Sequence, residues 1–270
     1  MSFVAFAAVA ARFVPGQILP LRYVAGYALL AGNWVYVFHG LPSSFAIPLW
    51  TVSIEEQFYL AWPLALRKAR MRTIAAIAVC LLLVANLWRI WLAATAAPIS
   101  TMEYNTFTRL DPIALGVLIA LFADRIPAFS RRLRVALLSG GILIWIAMYA
   151  LSVSSNPPAQ STWRLAIAHP VTAVASAAIL LSVLGSQHAF LRNQRLLYLG
   201  KISYGLYVVH EFAHLCASRL LPASTPLQVL AQSVLGLALT ILLAAASYRW
   251  LESPFLRLKE RFAHVQSRPV

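Results

Sequence analysis

Apolar runs of similar length, separated by short polar segments, dominate this chain. They extend approximately over 23–38, 50–66, 73–95, 109–124, 135–153, 168–186, 200–221 and 228–250. Each approaches the roughly 20 residues that cross a hydrocarbon layer about 30 Å thick, and within lipid only a helix satisfies its own backbone groups. The pattern predicts an all-α, polytopic transmembrane helix bundle of about eight spans, with a short apolar segment over 2–11 ahead of it. That segment is too short to cross, and no basic stretch precedes it as a signal peptide requires. The run 23–38 either crosses or re-enters, depending on whether 2–11 belongs to a further span. No linker, repeat or soluble domain interrupts the pattern, so residues 1–270 are expected to form a single integral membrane domain.

Composition strengthens this reading. With 61% hydrophobic and 11% charged residues, the chain departs far from an average soluble domain, at roughly 45–50% apolar and 25% charged. A water-soluble globule is excluded. The net charge of +14 raises nucleic acid as a partner, and the position of the cations removes it. Most fall into four groups between spans: Arg67, Lys68, Arg70 and Arg72; Arg125, Arg131, Arg132 and Arg134; Arg192, Arg195 and Lys201; Arg249, Arg257, Lys259, Arg261 and Arg268. Basic residues in every second loop follow the positive-inside rule, whereas a nucleic-acid binder needs a continuous basic face. Placing these groups in the cytoplasm turns the loops 39–49, 96–108, 154–167 and 222–227 outward. Cys80 and Cys216 lie inside apolar runs, where a disulfide framework is not expected.

Chemistry is sought where charge is costly. A carboxylate at the bilayer centre costs about 2.5–3.5 kcal/mol even on the lenient insertion scale, which makes it a functional hypothesis by default. Glu55, Glu56, Asp111 and Glu211 lie in or at the edge of spans. Ser53 and Glu56 have the spacing of a capping box at a helix start, a structural role. Glu55 then points about 100° away, with Thr51, Tyr59 and Trp62, and has no local partner. It is the better catalytic candidate, in a segment whose Trp50, Tyr59 and Trp62 also suit an aromatic belt. Arg109 lies beside Asp111 at the outer mouth of its span; it either positions an acceptor or is neutralised by that carboxylate. His210 sits midway along its helix, where a neutral imidazole can serve as a base or as a packing residue.

The string Leu49 to Leu64, LWTVSIEEQFYLAWPL, resembles the signature of membrane-bound acyltransferase family 3, integral membrane enzymes that modify bacterial surface glycans. Three further stretches resemble the same family in the same order: Thr108 to Gly116, Leu199 to His210 and Ser247 to Pro254. The resemblance covers roughly residues 20–260. It implies an O-acyltransferase of the bacterial inner membrane, moving an acyl group, often acetyl, from cytoplasmic acyl-CoA to a hydroxyl of an extracytoplasmic saccharide. Glu55 and His210 are then expected to be catalytic, and Arg109, Asp111, Tyr59 and Trp50 to bind substrate. Acyl-CoA enters as a co-substrate; no metal or tightly bound cofactor is implied. The family carries a first helix with an Arg and a His ten residues apart, which has no counterpart here, so the chain is expected to be N-terminally truncated relative to the family.

Two other readings compete. His210, Glu211 and His214 spell HExxH, in which two His one turn apart bind zinc and Glu acts as base. An intramembrane metalloprotease also needs a third ligand, and the acids after His214 are Glu252 and Glu260, near the cytoplasmic end of the last span. A transporter-like protein would show matching broken halves, which Pro63 and Pro112 do not create. An acyltransferase inactivated by truncation is the remaining alternative.

Overall fold

In a computed structural model, residues 16–67, 69–125, 129–154, 161–186 and 188–262 are described. Among them the regular structure is helical and no strand occurs. The helices are α1 (Leu21–Ala28), α2 (Gly32–His39), α3 (Leu49–Leu66), α4 (Met71–Ala94), α5 (Ile99–Tyr104), α6 (Leu110–Phe122), α7 (Arg131–Ser154), α8 (Thr162–Val183), α9 (Gln194–Lys201), α10 (Ser203–Leu220), α11 (Pro226–Ser247) and α12 (Ser253–Phe262). The apolar segment 2–11 lies outside the described residues.

Among the described residues, five segments are long and apolar enough to cross a membrane: Met71–Ala94, Thr106–Arg125, Arg131–Leu151, Thr162–Val183 and Pro226–Leu258. The protein is thus a multi-pass membrane protein with fewer clear spans than the eight expected. The difference has identifiable causes. The run 23–38 is two helices of eight residues each, each only about 12 Å long at 1.5 Å per residue. The break at 29–31 places Leu30 at φ 58°, a left-handed conformation that ends one helix and turns into the next. Helices α3 and α10 have 18 residues each, and their ionisable side chains lower their apolar character.

The contacts divide the chain into two units. The larger comprises Pro20–Pro42 and Leu49–His188. Its centre is α4 against α6 and α8, with α7 laid on α8. Gly141 on α7 allows that approach, because a Cβ there would lie 2.9 Å from the Ala175 carbonyl oxygen of α8. Small residues at a crossing are how membrane helices gain close backbone packing. At the end of α8, Arg134 donates to the carbonyls of Ser182 and Leu184, both at 2.9 Å, satisfying acceptors that the helix itself leaves open.

Of the described residues, the smaller unit contains 16–19, Ser43–Pro48 and 189–262. It is built on α10 against α11, again through glycine: Gly205 faces Ala244 with room for nothing larger than a tightly held Cβ, 3.3 Å from the Ala244 Cα. A capping box of Thr225 and Gln228 starts α11.

Candidate functional site

The site grows from a turn between two helices. After α5, Asn105 accepts from the Phe107 amide at 2.9 Å, and the Thr108 hydroxyl donates to the Asn105 carbonyl at 2.7 Å. This winds Thr106–Arg109 into a 3₁₀ turn that leads directly into α6. Arg109 and Asp111 stand on opposite sides of that junction and point to different neighbours. Of the two alternatives for Arg109, neutralisation by Asp111 does not occur, and each residue pairs with a different partner.

Asp111 pairs with Arg89 of α4. Both are buried, at 3% and 1% side-chain exposure, and Arg89 also donates to the Thr108 carbonyl at 2.9 Å and to Asn86 at 3.3 Å. Arg109 pairs with Glu103 of α5 and donates to the Glu103 carbonyl at 2.8 Å. Its guanidinium lies 5.2 Å over the Trp50 ring, which packs edge-on to Tyr104 at 5.0 Å. Across from it, His169 of α8 places Nε2 at 3.5 Å from Glu103 Oε1. Burial acts to raise the Glu103 carboxyl, but the His169 hydrogen bond and the Arg109 charge outweigh it and hold the group below the usual carboxylate range. Two buried atoms in the cluster have no hydrogen-bond partner: Asp111 Oδ2 and His169 Nδ1.

A second network braces the same turn. Asn33 donates to the Tyr104 carbonyl and to Thr106, each at 2.9 Å, while Gln57 donates to Asn33 at 2.9 Å and accepts from Thr106 at 2.7 Å. Gln57 also donates to the Leu30 carbonyl at 2.6 Å, tying down the α1–α2 break. Residue types with both donors and acceptors close this circuit, as buried polar groups must.

The remaining expected residues have other places. Ser53 is interior to α3, because the helix starts at Leu49, whereas a capping box on Ser53 requires a start at Ile54. Its hydroxyl donates to the Leu49 carbonyl at 3.3 Å and accepts from the Gly32 amide at 3.2 Å. Ser53 is structural as expected, but the capping box with Glu56 does not form; Glu56 is half-buried along the helix. Ser53 and Gln57 define the inward face of α3, and Glu55, about 200° around from Ser53, is exposed with Tyr59 on the other side. Trp50 and Arg109 are thus brought together, and Glu55 and Tyr59 stand apart from them. An open depression of about 760 Å³, lined by Leu64, Ala65, Arg67, Ala69 and Thr73, lies at the far end of α3.

His210 belongs to the smaller unit. Its Nδ1 lies 2.6 Å from the Tyr207 carbonyl and its Nε2 3.5 Å from Glu211 Oε1, with the two side chains 44% and 45% exposed. For the HExxH reading, no group of three His, Cys, Asp or Glu gathers to hold a metal among the described residues.

Arg89, His169 and Glu103 complete the cluster and lie outside the set of acids in the apolar runs. Arg89 and His169 were visible as ionisable residues within the runs 73–95 and 168–186; the cost that flags an intramembrane acid flags a cation equally. Glu103 lies within the stretch 96–108 expected as an outward loop, and nothing local in the sequence distinguishes it.

Residues 3–249 match the acyltransferase domain family. The chain belongs to that family. It is 28% identical over 251 residues to YrhL of Bacillus subtilis, covering 82% of this chain and 37% of the relative. The peptidoglycan O-acetyltransferase OatA of Listeria monocytogenes is 27% identical over 246 residues, covering 82% and 38%. The O-acetyltransferase OatA of Staphylococcus aureus is 27% identical over 261 residues, covering 90% and 42%. The chain therefore spans about two fifths of the length of these curated relatives. No solved structure matches it. Within the family match, the turn carrying Arg109 and Asp111 is the part of the acyltransferase domain where buried charge concentrates.

Proposed function

We propose that this acyltransferase-family protein moves an acyl group, acetyl in the simplest case, from acyl-CoA to a hydroxyl of a cell-envelope saccharide at the bacterial inner membrane. The observation that carries the reading is the family match over residues 3–249, together with relatives named as O-acetyltransferases, two of which, YrhL and the Listeria OatA, are named for peptidoglycan. Transfer requires the acceptor oxygen to attack the thioester carbonyl as its proton leaves, and the C–S bond to break with the proton delivered to the departing thiolate. Arg109 supplies fixed positive charge for the oxygen that gains negative charge at the carbonyl. Trp50 offers a flat apolar face to a sugar ring beside that guanidinium. Glu55 and Tyr59, on the open face of α3, are assigned further substrate contacts. Acyl-CoA is a co-substrate and no tightly bound group is assigned; Arg67, beside the open depression at the end of α3, is a cation available to CoA phosphates.

Purified protein in lipid vesicles, given radiolabelled acetyl-CoA and peptidoglycan fragments, is expected to form base-labile acetyl esters. Label no greater than in protein-free vesicles, with several saccharides tried, overturns the reading. Glu55→Gln is expected to lower ester formation at least about tenfold without loss of folded protein, as removal of one charged substrate contact does; unchanged rates remove Glu55 from the site.

A further inference from the structure

We propose that α9 and α12 lie along the membrane surface and together hold the phosphate headgroups of anionic phospholipids of the phosphatidylglycerol type. This site is independent of the acyl-transfer reading.

Length decides where α12 stands. The last apolar segment, Pro226–Leu258, has 33 residues, about 50 Å of helix against a hydrocarbon layer about 30 Å thick. The 22 residues of α11 already suffice to cross, so the chain from Tyr248 onward reaches the interface. A π turn follows at Tyr248–Glu252, and π turns are where helices can change direction. Leu251, Phe255 and Leu258 then recur four and three residues apart as one apolar stripe, with Arg257 about 200° round from Phe255. Trp250 and Phe255 are 72% and 71% exposed, and Leu251 and Leu258 are exposed with them. A helix apolar on one side and basic on another, at the end of a span, fits the boundary between headgroups and acyl chains.

Helix α9 repeats the pattern. Its eight residues extend about 12 Å, too short to cross, and none of them is buried. Leu196, Leu197 and Leu199 share one side, Arg195 and Lys201 the other. Lys201 places Nζ 5.5 Å from the centre of the Tyr248 ring, which joins the end of α9 to the start of the π turn. The two helices and their adjoining turns carry five exposed cations: Arg192, Arg195, Lys201, Arg249 and Arg257. Among the described residues no carboxylate pairs with any of them; Glu252 accepts from the Ser247 hydroxyl instead, at 3.4 Å. The positive-inside rule puts this end of the unit at the cytoplasmic leaflet, whose anionic lipids give it a negative surface.

Charge and apolarity together select the occupant. A second copy would set these cations against the same cations, since a two-fold interface joins identical patches. Coenzyme A brings phosphate without the two long chains that would cover leucine and phenylalanine. A phospholipid brings both.

The test uses purified protein in phosphatidylcholine vesicles with spin-labelled phosphatidylglycerol or spin-labelled phosphatidylcholine, the immobilised fraction of each label giving their relative association. Wild type should prefer phosphatidylglycerol at least about threefold at low salt, and the preference should shrink at high salt. Arg192→Gln, Arg195→Gln, Arg257→Gln combined should remove at least about half of the preference. Arg72→Gln, Arg131→Gln, Arg132→Gln combined, which takes as many exposed cations from other segments, should leave nearly all of it. Phe255→Gln with Leu258→Gln should weaken it with every charge in place; an unchanged preference there overturns the apolar half of the site and with it a lipid occupant. No preference in wild type overturns the proposal, as does an equal loss in the two triple variants, which would spread the effect over all basic segments. Displacement of the labelled lipid by excess coenzyme A assigns the cations to a soluble phosphate and also overturns it. Photoactivatable phosphatidylglycerol on wild type gives a reading that needs no variant to fold: peptides from 189–262 should carry most of the cross-links, and even labelling along the chain overturns the proposal.

Discussion

Two His–Glu pairs in this protein have the same separation and opposite surroundings. His169 and Glu103 meet at 3.5 Å with 12% and 24% exposure; His210 and Glu211 meet at 3.5 Å with 44% and 45%. The first joins α8 to α5, brings Arg109 and Trp50 with it, and leaves a buried nitrogen unpartnered. The second joins chain neighbours on one helix. Distance alone therefore says little about what a pair does. Burial and the number of elements that must be in place separate a preorganised site from a surface contact, because charges in a low-dielectric place interact strongly and cannot be rearranged cheaply.

The largest expected effect lies beside the buried pair. Asp111→Ala leaves Arg89 charged and enclosed, and is expected to destabilise the protein by about 3 kcal/mol or more, read as a fall in the unfolding midpoint in lipid micelles. The double variant Arg89→Met, Asp111→Leu should recover most of that loss, since well-packed apolar residues can replace a buried ion pair at little cost. A double variant as unstable as the single would mean that the hydrogen bonds from Arg89 to Thr108 and Asn86, rather than the charge pair, hold α4 to the turn.

Next in size is the neutral network that braces the same turn. Asn33→Leu removes the partner of Gln57, Thr106 and the Tyr104 carbonyl at once. The expected cost is about 1–3 kcal/mol, the range for orphaned buried polar groups. Loss of Arg109-dependent activity should accompany it, because Thr106 begins the turn that Arg109 ends.

Most of this architecture could be read in the sequence, and the exceptions have physical causes. The long runs at 73–95, 135–153, 168–186 and 228–250 became helices, as length and apolarity require. The break at Leu30 was hidden, since nothing in an apolar residue announces a positive φ. Trp50 and Arg109, both substrate-binding candidates from the sequence, meet in the fold. Glu103, the partner of Arg109, is not legible in the sequence, since partners are chosen by the direction of the chain at a 3₁₀ junction. Two residues apart in sequence, Arg109 and Asp111 face different helices, and no spacing rule carries that information. Ser53 and Glu56 fitted a capping pattern because the pattern is short; the real helix start at Leu49 has to be seen.

A smaller effect is expected from pH. Glu103 lies below its ordinary carboxyl value of 4.5 in the folded protein, so the unfolded chain takes up the proton first as acid is added. Its contribution to stability is present above that value and is lost as pH falls from there through the lowered folded value. Glu103→Gln should flatten the wild-type decline of the unfolding midpoint over that window. An undiminished decline would show that the loss comes from other carboxylates.

Glu211→Gln gives the smallest expected change and makes the matched control for Glu103→Gln. A half-exposed pair between chain neighbours gains little Coulomb energy in a watery or interfacial setting, and such contacts contribute about 0–1 kcal/mol. Solvent exposure also means that a lost partner is replaced by water rather than left as an orphan. The expected shift in stability is within about 0.5 kcal/mol, with ester formation within about twofold of wild type, whereas Glu103→Gln should lower kcat at least about tenfold by loosening Arg109. Measured in the same vesicles, the two substitutions differ only in where the carboxylate stands. Equal losses in the two variants would show that exposure had misled the ranking and that His210 with Glu211 works at the reacting bond.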